Sequence, residues 1–131
     1  MLFLIKGDNM LAERRKFIRF DVPLDVIFKI SDDSTPYSVG TTKNFSRHGC
    51  CIESKSADIK LHKNMDIQVK HPTKDIFVYA SGNVVWKQQL DNDRCLLGID
   101  IIEMNKEAKS EILDFAYDIW LEKNINPDAV N

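Results

Sequence analysis

Ile76-Phe77-Val78-Tyr79-Ala80-Ser81-Gly82-Asn83-Val84-Val85-Trp86 is the stretch on which the fold turns. Its β-branched and aromatic residues suit a pleated, half-buried surface, and no helical spacing runs through it. Eleven residues are long for one strand. Gly82, in the middle, is where a bulge or bend would let a sheet turn a corner. Working outward, strand-like segments recur at 37–43, 49–54, 65–70 and 95–102, each bounded by Asn, Asp, Gly, Pro or Lys-rich breaks. A further one lies in Phe20-Asp21-Val22-Pro23-Leu24-Asp25-Val26-Ile27-Phe28-Lys29-Ile30, beginning after Pro23, and 31–36 supplies turn chemistry. Short strands at this spacing predict a small antiparallel barrel, whose closure would remove the sheet edges.

The end of the chain reads differently. Asn105 can cap a helix whose apolar positions Ala108, Ile112, Phe115, Ala116, Ile119 and Trp120 recur at threes and fours, stopped by Asn124 and Pro127. Its apolar stripe should cover an open face or end of the barrel. The fold class is therefore all-β with one C-terminal helix. Residues 1–12 read as a flexible N-terminal segment and 13–123 as one domain, with the barrel about 20–104, the helix about 105–123 and a tail at 124–131.

A chain of 131 residues fits one domain, and 44% hydrophobic with 29% charged residues is ordinary globular usage. The formal net charge of -2 and pI near 5.9 give no global field to hold duplex DNA, so any anion must be held locally. The apolar opening Met1-Leu2-Phe3-Leu4-Ile5 ends at Lys6, short of an export signal or a membrane span, which predicts a cytoplasmic protein. Three cysteines without a CxxC pair suggest neither a disulfide scaffold nor a metal site, and no cofactor is indicated. Cys50 and Cys51, adjacent on a strand, should face opposite ways, one inward and one toward solvent.

Two motifs carry chemistry. Glu13-Arg14-Arg15-Lys16-Phe17-Ile18-Arg19 places four cations within six residues. Arginine can grip a phosphate with both arms of its fork, bond the O6/N7 edge of guanine, or stack on a base. By itself such a cluster is more often a solvated charged segment. Asn44-Phe45-Ser46-Arg47-His48-Gly49 is an NxSxxG turn. Asn44 can bond a base edge, Ser46 can donate to a phosphate or base oxygen, and Gly49 permits close backbone approach. By themselves these are also the residues of an ordinary turn.

In this order, Arg14-Arg15-xxx-Arg19 followed by Asn44-x-Ser46-xx-Gly49 resembles the RRxxxR and (D/N)xSxxG signature of the PilZ family. Gly82-Asn83-Val84-Val85-Trp86 and Leu97-Gly98-Ile99-Asp100-Ile101 are similar to that family's late strands, so the likeness spans roughly 13 to 104. The resemblance implies a six-stranded barrel that binds the bacterial second messenger cyclic di-GMP between arm and loop, as a receptor and not an enzyme. Arg15 and Arg19 would clamp phosphates and guanine edges, and Asn44, Ser46 and Gly49 would shape the guanine loop. Arg14 before the RxxxR pair implies an intercalated ligand dimer. Asn44 stands where many members carry Asp, and it lacks the charge that would strengthen a guanine N–H bond. Arg47 and His48, inside the loop, are further candidates. The implied output is an arm that orders on the ligand and a surface read by an unidentified downstream protein in motility, exopolysaccharide or biofilm control.

Two other readings stand beside this one: a PilZ-like adaptor that binds no nucleotide, and a small barrel for single-stranded nucleic acid. The intact arginines and loop argue against the first. Against the second, the aromatics fall mostly on apolar faces and not among the basic residues. Trp86 could stack on a base, but a strand-end aromatic reads first as core. Cys50 or Cys51 with His48 is the one catalytic pairing the sequence offers, and it lacks a third group to orient it.

Overall fold

A computed structural model of the protein describes residues 18–31, 36–55 and 59–124. Six strands, β1 (Asp25–Ile30), β2 (Ser38–Phe45), β3 (Gly49–Lys55), β4 (Asn64–Lys70), β5 (Phe77–Gln89) and β6 (Arg94–Met104), precede one helix, α1 (Lys106–Asn124). Every pairing is antiparallel, and the order β1-β2-β3-β6-β5-β4 closes through β1 against β4. The expected all-β barrel with a C-terminal helix is the fold observed. The expected N-terminal segment and nearly all of the expected tail lie outside the described residues.

Alternation fills the interior. Val26 and Phe28, Ile52, Met65, Ile67 and Val69, Val78, Ala80 and Val84, and Cys95, Leu97 and Ile99 project inward from successive strands into one buried cluster. Each large aliphatic or aromatic side chain taken fully from water contributes about 1.5–3 kcal/mol, so this cluster is the main driving force. Three bulges interrupt the alternation: between Thr42 and Asn44 on β2, between Ser81 and Gly82 opposite β6, and between Val84 and Trp86 on β5. Lys43, Ile102 and Val85 are the residues left over at these bulges, and all three are exposed. The corner expected at Gly82 is thus present, but its extra residue, Ile102, sits on the facing strand. Each bulge also exchanges the inward and outward sets beyond it, with consequences for the site.

α1 begins where Asn105 Oδ1 accepts the Ala108 N–H at 2.9 Å. Ile112 and Ala116 are fully buried against the barrel, with Leu113, Phe115 and Ile119 packed beside them. Trp120, expected on this apolar stripe, stays 40% exposed, its ring stacked on Tyr117 at 6.1 Å. A polar clasp holds the middle of the helix. His71, only 3% exposed, accepts the Thr73 and Lys74 N–H groups at Nδ1 (3.1 and 3.2 Å), which leaves Nε2 to donate to Glu111 Oε1 at 2.9 Å. Lys74 Nζ meets the other Glu111 oxygen at 3.1 Å. Bonded by both, the Glu111 carboxyl is held below the usual carboxylate range.

Candidate functional site

The segment leading out of the basic arm is stapled to β2. Phe20 and Phe45 exchange both backbone hydrogen bonds at 2.9 Å. Thr42, buried on the inner face, accepts the Leu24 N–H at 2.8 Å and donates to the Val22 carbonyl. Val22 and Leu24 bury their side chains in the core between these bonds. Arg19 is thereby delivered beside the β2–β3 hairpin tip. Its positive charge opposes the rise that burial imposes on the Cys50 and Cys51 thiols.

The hairpin tip is built by Ser46. Its backbone N–H donates to the Gly49 carbonyl at 2.8 Å, and its hydroxyl donates to the same oxygen at 3.2 Å while accepting the His48 and Gly49 N–H groups at 3.3 and 3.2 Å. The buried hydroxyl therefore organises the turn itself. Gly49 is needed for a different reason: a Cβ there would run into the Ile99 carbonyl oxygen, so only glycine lets β3 lie this close to β6. The His48 carbonyl accepts the Ile101 N–H at 2.8 Å, and the Arg47 carbonyl accepts Lys109 Nζ at 3.0 Å. Lys109 lies in a cationic neighbourhood: partial burial first, then Arg47 and Lys106, push its pKa down.

Between Arg19 and this tip runs a cleft of about 490 Å³. Small-molecule sites span roughly 300–1,000 Å³, so its size suits a compact ligand. Its floor follows from two outward-facing rows of the barrel. One row joins Asn44, Cys51, Gly98 and Trp86 across β2, β3, β6 and β5; the other joins Gly49, Asp100 and Asn83. Gly98 is what allows the Trp86 indole to lie flat on the barrel, since a Cβ there would overlap the ring.

Of the residues singled out in the sequence, the cleft brings together Arg19, Ser46, His48, Gly49, Cys50 and Trp86. Asn44 stands on its flank, half-buried on the outward row, with Oδ1 buried and without a hydrogen-bond partner. Arg47 is exposed and does not line the cleft. Arg14 and Arg15 lie outside the described residues. Two readings are corrected. Trp86, read first as core, is 37% exposed and forms a wall of the cleft. An even count from Val84 points it inward, but the bulge at Val85 turns it out. Of Cys50 and Cys51, one was expected inward and one toward solvent; Cys50 does face the core, whereas Cys51, on the outward row, is buried too. Burial raises the pKa of both thiols, and Cys50 is pushed up to about 12, which keeps the Cys50 thiol protonated near neutrality. Asp100, another lining residue, was not singled out; its place opposite Gly49 depends on a strand register that sequence does not display. Among the described residues no group of three or more His, Cys, Asp or Glu is arranged to hold a metal, and no helix is long and apolar enough to cross a membrane.

Fold and cleft define a class: a helix-capped, closed antiparallel barrel with a polar surface cleft between an N-terminal arm and a hairpin tip. The protein belongs to the PilZ family, whose domain model matches residues 13–118. PilZ domains are receptor and effector domains. Similar solved structures share the fold at low identity. The inhibitor of motility MotI/DgrA of Bacillus subtilis is 15% identical with a TM-score of 0.68, over 85% of this chain and 53% of that one. The PilZ domain of YcgR from Escherichia coli, solved with c-di-GMP, is 14% identical with a TM-score of 0.63, over 88% and 98% of the two chains. The PilZ domain of CeSA from a cellulose-synthesizing bacterium is 14% identical with a TM-score of 0.53. This chain thus spans about half the length of MotI/DgrA and nearly all of the isolated YcgR domain. No curated protein matches it.

Proposed function

We propose that this domain is a receptor for cyclic di-GMP, held in the cleft between Arg19 and the Ser46–Gly49 tip. The observation that carries the reading is that Arg19, the last residue of one motif, and Ser46 and Gly49 of the other line one concavity of ligand size, beside the exposed Trp86 indole. A guanine stacked on that indole would bring its Hoogsteen edge or a neighbouring phosphate to Arg19, the pairing that guanidinium geometry favours. Asn44, half-buried next to the hairpin tip, would turn its carboxamide to a guanine edge. Arg14 and Arg15, next along the arm, would close over the ligand. Arg14 supplies the extra guanidinium for a second, intercalated nucleotide, so two ligands per chain are expected. YcgR, whose PilZ domain was solved with c-di-GMP, lends the reading support by fold. The output is a surface of arm and barrel that a downstream protein reads.

Calorimetric titration with cyclic di-GMP tests this. A charged hydrogen bond contributes about 1.5–3 kcal/mol, so Arg19→Ala should weaken binding about 10- to 100-fold. Arg14→Ala should lower the stoichiometry from two to one. Absence of heat with the unaltered protein removes the receptor reading, and a salt-sensitive shift of a single-stranded oligonucleotide would put nucleic-acid binding in its place.

A further inference from the structure

Among the described residues that line the cleft, Asp100 is the one carboxylate. Its place is fixed by pairing: it sits opposite Gly49 on one side and Asn83 on the other, on the outward row next to the row of Gly98 and Trp86. Two residues along one face of a strand are about 7 Å apart, so the carboxylate projects from the floor about that far from the glycine on which the indole lies. It is exposed, and no hydrogen bond or ion pair to a described residue engages it.

An acid in this position is anomalous for a site that takes a double phosphate, because its charge repels that ligand. It becomes intelligible if it meets the one part of the nucleotide that wants an anion. The Watson–Crick edge of guanine presents N1–H and N2–H side by side, and a carboxylate accepts both with parallel bonds. Asn44, at the loop position where an acid would otherwise serve, has no charge to offer. The outward row across β6 supplies one from the other side of Gly49.

We propose that Asp100 is the guanine-reading group of this cleft, accepting N1–H and N2–H of a base stacked on Trp86, with specificity relocated from the hairpin to β6. This rests on the receptor reading, and its test is designed to fail separately. Cyclic di-GMP and cyclic di-IMP, which lacks the exocyclic amine, are titrated against the full chain and against Asp100→Asn and Asp100→Ala, with melting temperatures confirming that both variants fold. The unaltered chain should prefer cyclic di-GMP about tenfold or more. Both variants should lose affinity for cyclic di-GMP, and the preference should fall to within about threefold. Variants that bind cyclic di-GMP as tightly as the unaltered chain, or tighter, would show the carboxylate to be mere repulsion and overturn the proposal. Equal weakening for both nucleotides, with the preference kept, would overturn it too. If the unaltered chain binds neither, the receptor reading itself falls and this one with it.

Discussion

Cys50 shows how one residue reports the state of the whole interior. It lies in the core cluster, and burial, with the neighbouring Cys51 adding to it, lifts its pKa from 9.0 to about 12. The folded chain thus keeps this proton where an unfolded chain has lost it. The sign follows: the thiol's contribution to stability is intact below pH 9, and it declines as pH rises from 9 toward 12, because the unfolded state then binds fewer protons. Urea melts across that range should show falling stability, and Cys50→Ala should flatten the fall even if it lowers the starting value. Ellman's reagent at pH 8 should find less than one reactive thiol per chain in the native state and all three after denaturation, since each cysteine is buried. Rapid native reaction at Cys50 would mean that the cleft floor opens.

At the scale of elements, α1 is held at three points. The Asn105 cap starts it, and its loss in Asn105→Ala should cost about 1 kcal/mol, read as a lower urea midpoint at unchanged slope. The His71–Glu111–Lys74 clasp ties its middle to the β4–β5 turn. Because the Glu111 carboxyl is depressed, the clasp contributes fully above pH 4.5 and is lost as pH falls through the lower folded value. Glu111→Gln should therefore be less stable than the unaltered chain near neutrality, and the gap should close in acid; a gap that is constant with pH would assign the effect to packing alone. The third point is Lys109 on the Arg47 carbonyl, and a separate ring contact sets Phe20 edge-on to Tyr117 at 6.0 Å. Through these two contacts the helix touches the hairpin and the exit of the arm.

The strands and the helix were legible because each obeys one local rule: alternation with β-branched residues, or a capped 3.6-residue period. What escaped is what bulges and burial decide. The extra residue Val85 overrides the even count that sends Trp86 inward, and Cys51 is buried on a face that alternation assigns to solvent. Arg19 and the hairpin motif were legible by type and order. Asp100 was not, since its role depends on pairing with Gly49, 51 positions away in sequence.

For the whole molecule, these ties predict how a ligand would be felt. A nucleotide that binds only the folded state stabilises it by RT ln(1 + [L]/Kd), which is about 2.7 kcal/mol at 100-fold over Kd. The local distribution of that gain depends on connectivity. Phe20 exchanges backbone bonds with Phe45, Thr42 grips Val22 and Leu24, and the hairpin tip bonds both β6 and α1. Ligand fixed to Arg19 and the tip should therefore slow hydrogen exchange at 20–24, at 44–49 and in the first turns of α1 together, while amides that bond neither the cleft nor α1 change only with global stability. Lys109→Ala separates the routes: binding should persist, but protection of the α1 amides should fall toward the ligand-free level. If the helix amides respond equally with and without Lys109, the Phe20–Tyr117 contact carries the coupling, and Tyr117→Ala is the variant that should abolish it.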